Sequence, residues 1–123
     1  MVTEAVNVAG QVAKGAAIEG SSFLVLAHHG DTLVGLARAL SDDASVVYLQ
    51  DILVHPSHQG LGIGKRLVNA VLERYVHVRQ KVLLTDDRPQ QLHVYASLGF
   101  KNTSELVVAP LNAFVRIEGT ALA

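Results

Sequence analysis

The stretch from residue 46 to residue 84 constrains this chain more than any other. Residues 46–54 form an apolar run, β-branched at both ends, that stops at His55-Pro56. A glycine loop follows, His58-Gln59-Gly60-Leu61-Gly62-Ile63-Gly64. Ile63, Leu67, Val68, Val71, Leu72 and Tyr75 then recur at helical spacing, with Lys65, Arg66, Asn69, Glu73 and Arg74 on the other face. Val82-Leu83-Leu84 reads as a short strand after this helix. Two strands joined by a helical crossover lie parallel, so the chain must contain a strand–loop–helix–strand unit with glycines at the helix start.

The flanks fill in the rest. Phe23-Leu24-Val25-Leu26-Ala27 reads as a buried strand, with a turn at Gly30-Asp31 and a partner strand over residues 32–40. Ser41-Asp42-Asp43 is a second turn, leading into residues 46–54. Residues 4–19, rich in Ala and Val, are expected to be helical, although Gly10 and Gly15 each cost about 1 kcal/mol there. Pro89 starts another helix, through Leu92, Val94 and Tyr95, stopped by Gly99; Asp86 or Asp87 is its expected cap. Residues 105–109 and 113–117 are expected as two final strands with a turn at Pro110-Leu111-Asn112. The expectation is an α+β fold: one mixed β-sheet, an antiparallel meander followed by a parallel pair, flanked by helices.

At 123 residues, half of them apolar, the chain has material for one domain. Net charge is −1, without the basic excess of a broad nucleic-acid footprint. Any bound anion must therefore be met by a local device. With no cysteine there is no disulfide scaffold, thiolate nucleophile or Cys-ligated zinc, and none of the six histidines shows metal-ligand spacing. Metal binding is not expected. The absence of a long apolar run argues against a membrane span. The first twenty or so residues lack a secretory pattern, so a cytoplasmic protein is expected.

A helix N-terminus preceded by glycines is an anion site, because its first N–H groups are unpaired and the helix dipole is positive there. A nucleotide P-loop does not fit: Gln59 and Arg66 stand where it needs Gly and Ser or Thr. A dinucleotide fingerprint does not fit either, because Lys65 stands where its third glycine should be. What remains is Gln59-x-x-Gly62-x-Gly64.

The segment Val54-His55-Pro56-Ser57-His58-Gln59-Gly60-Leu61-Gly62-Ile63-Gly64-Lys65-Arg66-Leu67 resembles the acetyl-coenzyme A motif of the GCN5-related N-acetyltransferases. Tyr95-Ala96-Ser97-Leu98-Gly99-Phe100 resembles a second motif of that family, Tyr-x-x-x-Gly-Phe, in the right order. The resemblance implies that the strand before the loop and the parallel strand after the helix splay apart, with pantetheine in the gap. Ile52, Leu53 and Val54 would supply backbone bonds to it, one of their N–H groups also polarising the thioester carbonyl. Gln59, Gly60, Leu61, Gly62, Ile63, Gly64 and Lys65 would hold the pyrophosphate. Tyr95 would protonate the departing thiolate. Many members carry a glutamate base on the strand before the loop; here Asp51 is the candidate, against a structural role for it in pairing with a neighbouring strand or loop. Thr85-Asp86-Asp87 stands where an asparagine often contacts the coenzyme.

The implied function is acetyl transfer from acetyl-CoA to a primary amine of a small molecule or peptide. The alternatives are a non-catalytic acyl-CoA-binding module and a subunit of a larger complex. The residues ahead of Phe23 (1–21) are an abbreviated acceptor-side region by the family's standard. That abbreviation and the apolar C-terminal strands together point to a homodimer.

Overall fold

Residues 23–27 are apolar without alternation, and all are buried. A strand of that kind needs cover on both faces. The computed structural model describes residues 2–5 and 20–122. It divides between Asp86 and Asp87 into two compact units.

The first unit holds a five-stranded sheet in the order β1-β2-β3-β4-β5. The strands are β1 (Val2–Ala5), β2 (Phe23–His29), β3 (Thr32–Ser41), β4 (Val46–Val54) and β5 (Gln80–Leu83). The pairs from β1 through β4 are antiparallel, and β4–β5 is parallel. Helix α1 (Ile63–Arg74) makes the crossover between the parallel strands, as the sequence requires. Its Leu67, Val68 and Val71 are fully buried, as is Tyr75 just beyond it. The Tyr75 ring meets Phe23 edge-on at 6.0 Å, and the Arg74 guanidinium lies over both rings. Burying these side chains removes roughly 1.5–3 kcal/mol of apolar exposure each, which is what seats the helix on the sheet.

The β3–β4 turn is built by one carboxylate. Asp42 Oδ1 accepts from the N–H groups of Ala44, Ser45 and Val46 at 3.0, 2.8 and 3.2 Å, and Oδ2 accepts from the Ser45 hydroxyl. These bonds, the Ser45 hydroxyl first, hold the Asp42 carboxyl far below the usual carboxylate range. Asp43 sits beside it at φ 61°, and its carboxylate meets His77 at 2.8 Å and Arg74 at 3.7 Å, tying the turn to the C-terminal end of α1.

The second unit carries helix α2 (Pro89–Ser97) and a 3-10 turn, Thr103–Glu105. Pro89 begins α2 as expected, but its N-cap is Arg88, not Asp86 or Asp87, and the Arg88 side chain makes no capping bond. A proline at the first helical position brings a fixed φ and no N–H to satisfy, which lets the helix start without a carboxylate cap.

Two further expectations are corrected. Residues 4 and 5, read as the start of a helix, belong to β1, pairing with Val25 and Leu24; the remainder of that helix, residues 6–19, lies outside the described residues. Residues 105–109 and 113–117 form no strand, and Val107, Val108 and Phe114 are largely exposed. β-branched and aromatic composition favours a strand only where a ladder partner exists, and here the backbone has none in regular pairing. Among the described residues, no helix is long and apolar enough to cross a membrane.

Candidate functional site: an open strand pair and a glycine loop

In β4 the register against β3 shifts: Arg38 faces Asp51 while Ala39 faces Leu49, so Gln50 is the extra residue of a β-bulge. On the opposite edge the parallel pairing with β5 runs from Val46↔Gln80 to Leu49↔Leu83 and ends there. The bulge bends β4 at the residue where β5 leaves it. Beyond Leu49, among the described residues, one edge of β4 has no strand beside it.

Strand alternation identifies which groups point into that gap. The His55 N–H donates to Val34 O at 2.7 Å, so it faces β3. Leu53 and Asp51 then face β3 as well, and Ile52 and Val54 turn their N–H and C=O groups to the open side. Of the residues expected to offer backbone bonds, Ile52 and Val54 are therefore so placed, and the Leu53 backbone is turned to β3. The Val54 carbonyl already accepts from Gln59 Nε2 at 3.1 Å, which ties the loop to the end of β4. The side chains of Leu53, Leu61 and Leu84 in this unit are exposed.

The lead-in to the loop is a 3-10 turn, Pro56–His58. Gly60 and Gly62 then adopt φ of 80° and 81°, and a Cβ at either would meet nothing within 4 Å. Glycine is needed there for its backbone conformation, not for space. Gly62 is the N-cap of α1, and no side chain caps the helix. The first intrahelical bond is Arg66 N–H to Gly62 O at 3.1 Å, so the N–H groups of Ile63, Gly64 and Lys65 have no partner within the helix. Gln59 through Lys65 are thus brought together as an uncapped anion cradle at the mouth of the gap.

A side-chain chain not anticipated from the sequence braces this cradle. The Ser57 backbone N–H donates to His55 Nδ1 at 3.1 Å, which makes that nitrogen an acceptor; the Ser57 hydroxyl donates to it too, at 2.8 Å. Ser57 Oγ then accepts from His58 Nδ1 at 2.7 Å, and His58 Nε2 meets His29 Nδ1 at 3.0 Å. The chain runs from the loop to the tip of the β2–β3 hairpin. No group of three or more metal-ligating side chains occurs among the described residues.

Asp51 is engaged by Arg38 on the neighbouring strand, through Nε and one carboxylate oxygen. The Arg38 guanidinium also reaches Ser21 Oγ at 3.3 Å, and both Arg38 and Ser21 are buried. A buried arginine needs such partners, since an unpaired charge in the sheet would cost several kcal/mol. The signal for this pair was a lone arginine inside the apolar run of β3, opposite an aspartate on β4.

Tyr95 lies in the second unit and is 8% exposed. The Phe100 N–H donates to Tyr95 O at 3.0 Å and the Gly99 N–H to Ala96 O at 3.1 Å, with Gly99 at φ 92°. This is a Schellman stop, whose usual apolar contact between the third-last helical residue and the second residue beyond the C-cap, here Leu98, is supplied by the Tyr95 and Phe100 rings, 6.1 Å apart. The spacing Tyr-x-x-x-Gly-Phe is thus that of a helix terminus which fixes the tyrosine backbone and ring.

Comparison with known proteins agrees with this geometry. A family model described as "Acetyltransferase (GNAT) domain" matches residues 3–116. A solved GNAT family acetyltransferase from Streptococcus pneumoniae TIGR4 is 31% identical, with a TM-score of 0.69 over 82% of this chain and 76% of that one. An uncharacterized N-acetyltransferase of Gracilaria tenuistipitata var. liui is 37% identical over 70 residues, 55% of this chain and 37% of its own. A chloroplastic GCN5-related N-acetyltransferase of Arabidopsis thaliana is 39% identical over 77 residues, 59% of this chain and 28% of its own. The matched stretches therefore span well under half the length of these curated relatives.

Proposed function

The chain belongs to the GNAT acetyltransferase family, and from that premise we propose that it transfers an acetyl group from acetyl-CoA to a primary amine of a small molecule or peptide. The observation that carries this reading is the coincidence of two features at one end of β4. The β4–β5 ladder stops at Leu49↔Leu83, and an uncapped helix start lies just beyond Val54. The first accepts an extended amide-bearing arm, and the second accepts a diphosphate.

In this reading Ile52 and Val54 pair with the pantetheine amides, and the exposed Leu53 and Leu84 give its apolar stretch a wall. Gln59, Gly60, Leu61, Gly62, Ile63, Gly64 and Lys65 hold the pyrophosphate, mainly through backbone N–H groups. An N–H of Ile52 or Val54 polarises the thioester carbonyl. The neutral amine attacks that carbonyl carbon, the C–S bond breaks, the Tyr95 hydroxyl gives its proton to the leaving thiolate, and the proton shed by the new amide nitrogen restores the tyrosine through water. Asp51 takes the proton that the ammonium must first lose, through water, its side chain being 38% exposed. The cysteine-free sequence suits a reducing compartment and supports a cytoplasmic place, and the exposed Val107, Val108 and Phe114 support a homodimer.

A second reading, an acyl-CoA-binding module without chemistry, draws on the Arg38–Asp51 pair, because it gives Asp51 a structural partner across the strands while β4 carries no glutamate to serve as base. One experiment separates the two. Thiol release from acetyl-CoA is followed with amines, polyamines, amino acids and peptides. Amine-dependent release supports the transferase. Coenzyme binding by calorimetry without release for any acceptor supports the module, and absence of binding removes both.

A further inference from the structure

Gly35 stands in the interior of β3, where a glycine weakens a strand and needs a reason. Its backbone is not in the left-handed region, unlike Gly60 and Gly62. The reason is space. A Cβ at Gly35 would lie 3.1 Å from Leu67 Cδ1, 3.2 Å from Ile63 Cγ2 and 3.3 Å from Ala27 Cβ. Ile63 is the first residue of α1 and Leu67 lies one turn on. Gly35 is also the register partner of Val54, the last residue of β4, whose Cγ2 would lie 3.8 Å from a Cβ at Gly64. The missing side chain at position 35 therefore lies directly beneath the first turn of α1, level with the end of the strand that the glycine loop leaves.

From this we propose that Gly35 is a positioning residue for coenzyme binding. By letting the first turn of α1 settle onto β3, it sets where the N–H groups of Ile63, Gly64 and Lys65 stand relative to the open edge of β4 at Ile52 and Val54. The inference rests on the reading that these N–H groups hold the pyrophosphate. A methyl group at position 35 sits in the middle of a paired strand, so the side chains of Leu67, Ile63 and Ala27 must each give by a few tenths of an ångström, and Leu67, fully buried, has little room to do so without shifting the first turn of α1. Interiors packed this closely pass such a displacement on to their neighbours. The pantetheine contacts on β4 are untouched by that movement, because β4 is held by β3 through its own ladder.

The test is Gly35→Ala, read by calorimetry with CoA and by amide NMR of the labelled protein. In the wild type, CoA should shift the amides of residues 60–65 together with those of Ile52 and Val54. In Gly35→Ala the affinity for CoA should fall about tenfold, the worth of one hydrogen bond to a charged group. The coenzyme-induced shifts at residues 63–65 should shrink while those at Ile52 and Val54 persist. A purely structural role would lower the melting temperature and leave both the affinity and that selective pattern alone. If Gly35→Ala does not fold, Gly35→Ala/Leu67→Val replaces it: it removes the nearest contact and leaves the one with Ile63, and the same selective loss is expected. Wild-type affinity with wild-type shifts in a folded variant overturns the inference and spares the functional reading. No CoA-induced shift at residues 60–65 in the wild type overturns the reading, and this inference with it.

Discussion

Three side chains carry different kinds of residue-level prediction. Tyr95→Phe keeps the ring contact that closes the Schellman stop, so the variant should fold and bind CoA normally. With an acceptor slow enough that chemistry limits, turnover should drop by roughly 10²- to 10⁴-fold, the range of general acid catalysis. An unchanged rate would leave Tyr95 a purely structural residue. Asp51 answers to both stability and rate. Asp51→Ala removes the charged partner of a buried arginine that keeps its bond to Ser21, and should cost roughly 1–3 kcal/mol in urea unfolding, less than a fully buried pair because Asp51 is 38% exposed. Asp51→Asn leaves an acceptor for Arg38, so it should be milder in stability, yet it should lower turnover by roughly 10²- to 10⁴-fold if the carboxylate takes the proton. A turnover equal to wild type would remove Asp51 from the proton path. Asp42 is a matter of pH alone. Its folded-state carboxyl is held below its ordinary value by the turn N–H groups and Ser45, so its stabilising contribution is complete above about pH 4 and lost as the pH falls below that. The gap in melting temperature between wild type and Asp42→Ala should be open at pH 7 and narrow by pH 3; a gap that is constant with pH would contradict the assignment.

At the scale of elements, the loop and α1 act as one device. Gly62→Asp tests it, since aspartate is among the few residues that tolerate the left-handed conformation at this N-cap, and the fold should survive. Its carboxylate would stand where the diphosphate is to bind, so CoA affinity should fall at least about tenfold by calorimetry. Equal affinity would move the diphosphate elsewhere. Much of this device was legible beforehand because helix starts, helix stops and glycine turns are local. The spacing of Gln59, Gly62 and Gly64 against Leu67 and Val71 needs only a few consecutive residues to be right. The same holds for Tyr95, Gly99 and Phe100. The bulge at Gln50 was not legible. Nothing in Leu49-Gln50-Asp51 marks it, and it appears only when the ladder with β3 is counted against the ladder with β5.

For the whole molecule, the proposed homodimer makes a prediction of mass. Val107, Val108 and Phe114 are 82, 95 and 94% exposed, and apolar surface of that kind commonly marks an interface. Light scattering at micromolar concentration should give two chains of 13.1 kDa each; a monomer retaining full activity would defeat the proposal. Residues 105–117 also mark the limit of sequence reading. Their β-branched and aromatic residues suit a strand, but a strand exists only where another backbone accepts its hydrogen bonds, and composition cannot supply the partner. By contrast, the sequence alone determined the parallel β4–α1–β5 unit, because a helical crossover leaves one sense of return. It determined the helix start after the glycine loop and the stop at Gly99 for the same kind of reason: each is settled within a few bonds. Tertiary structure decided that Arg38 would hold Asp51, that Ile52 and Val54 would face the gap, and that Gly35 would lie under the helix start. Those outcomes depend on register and close approach between segments far apart in the chain. Such contacts are selected by packing the whole sheet at once, and no local preference encodes them.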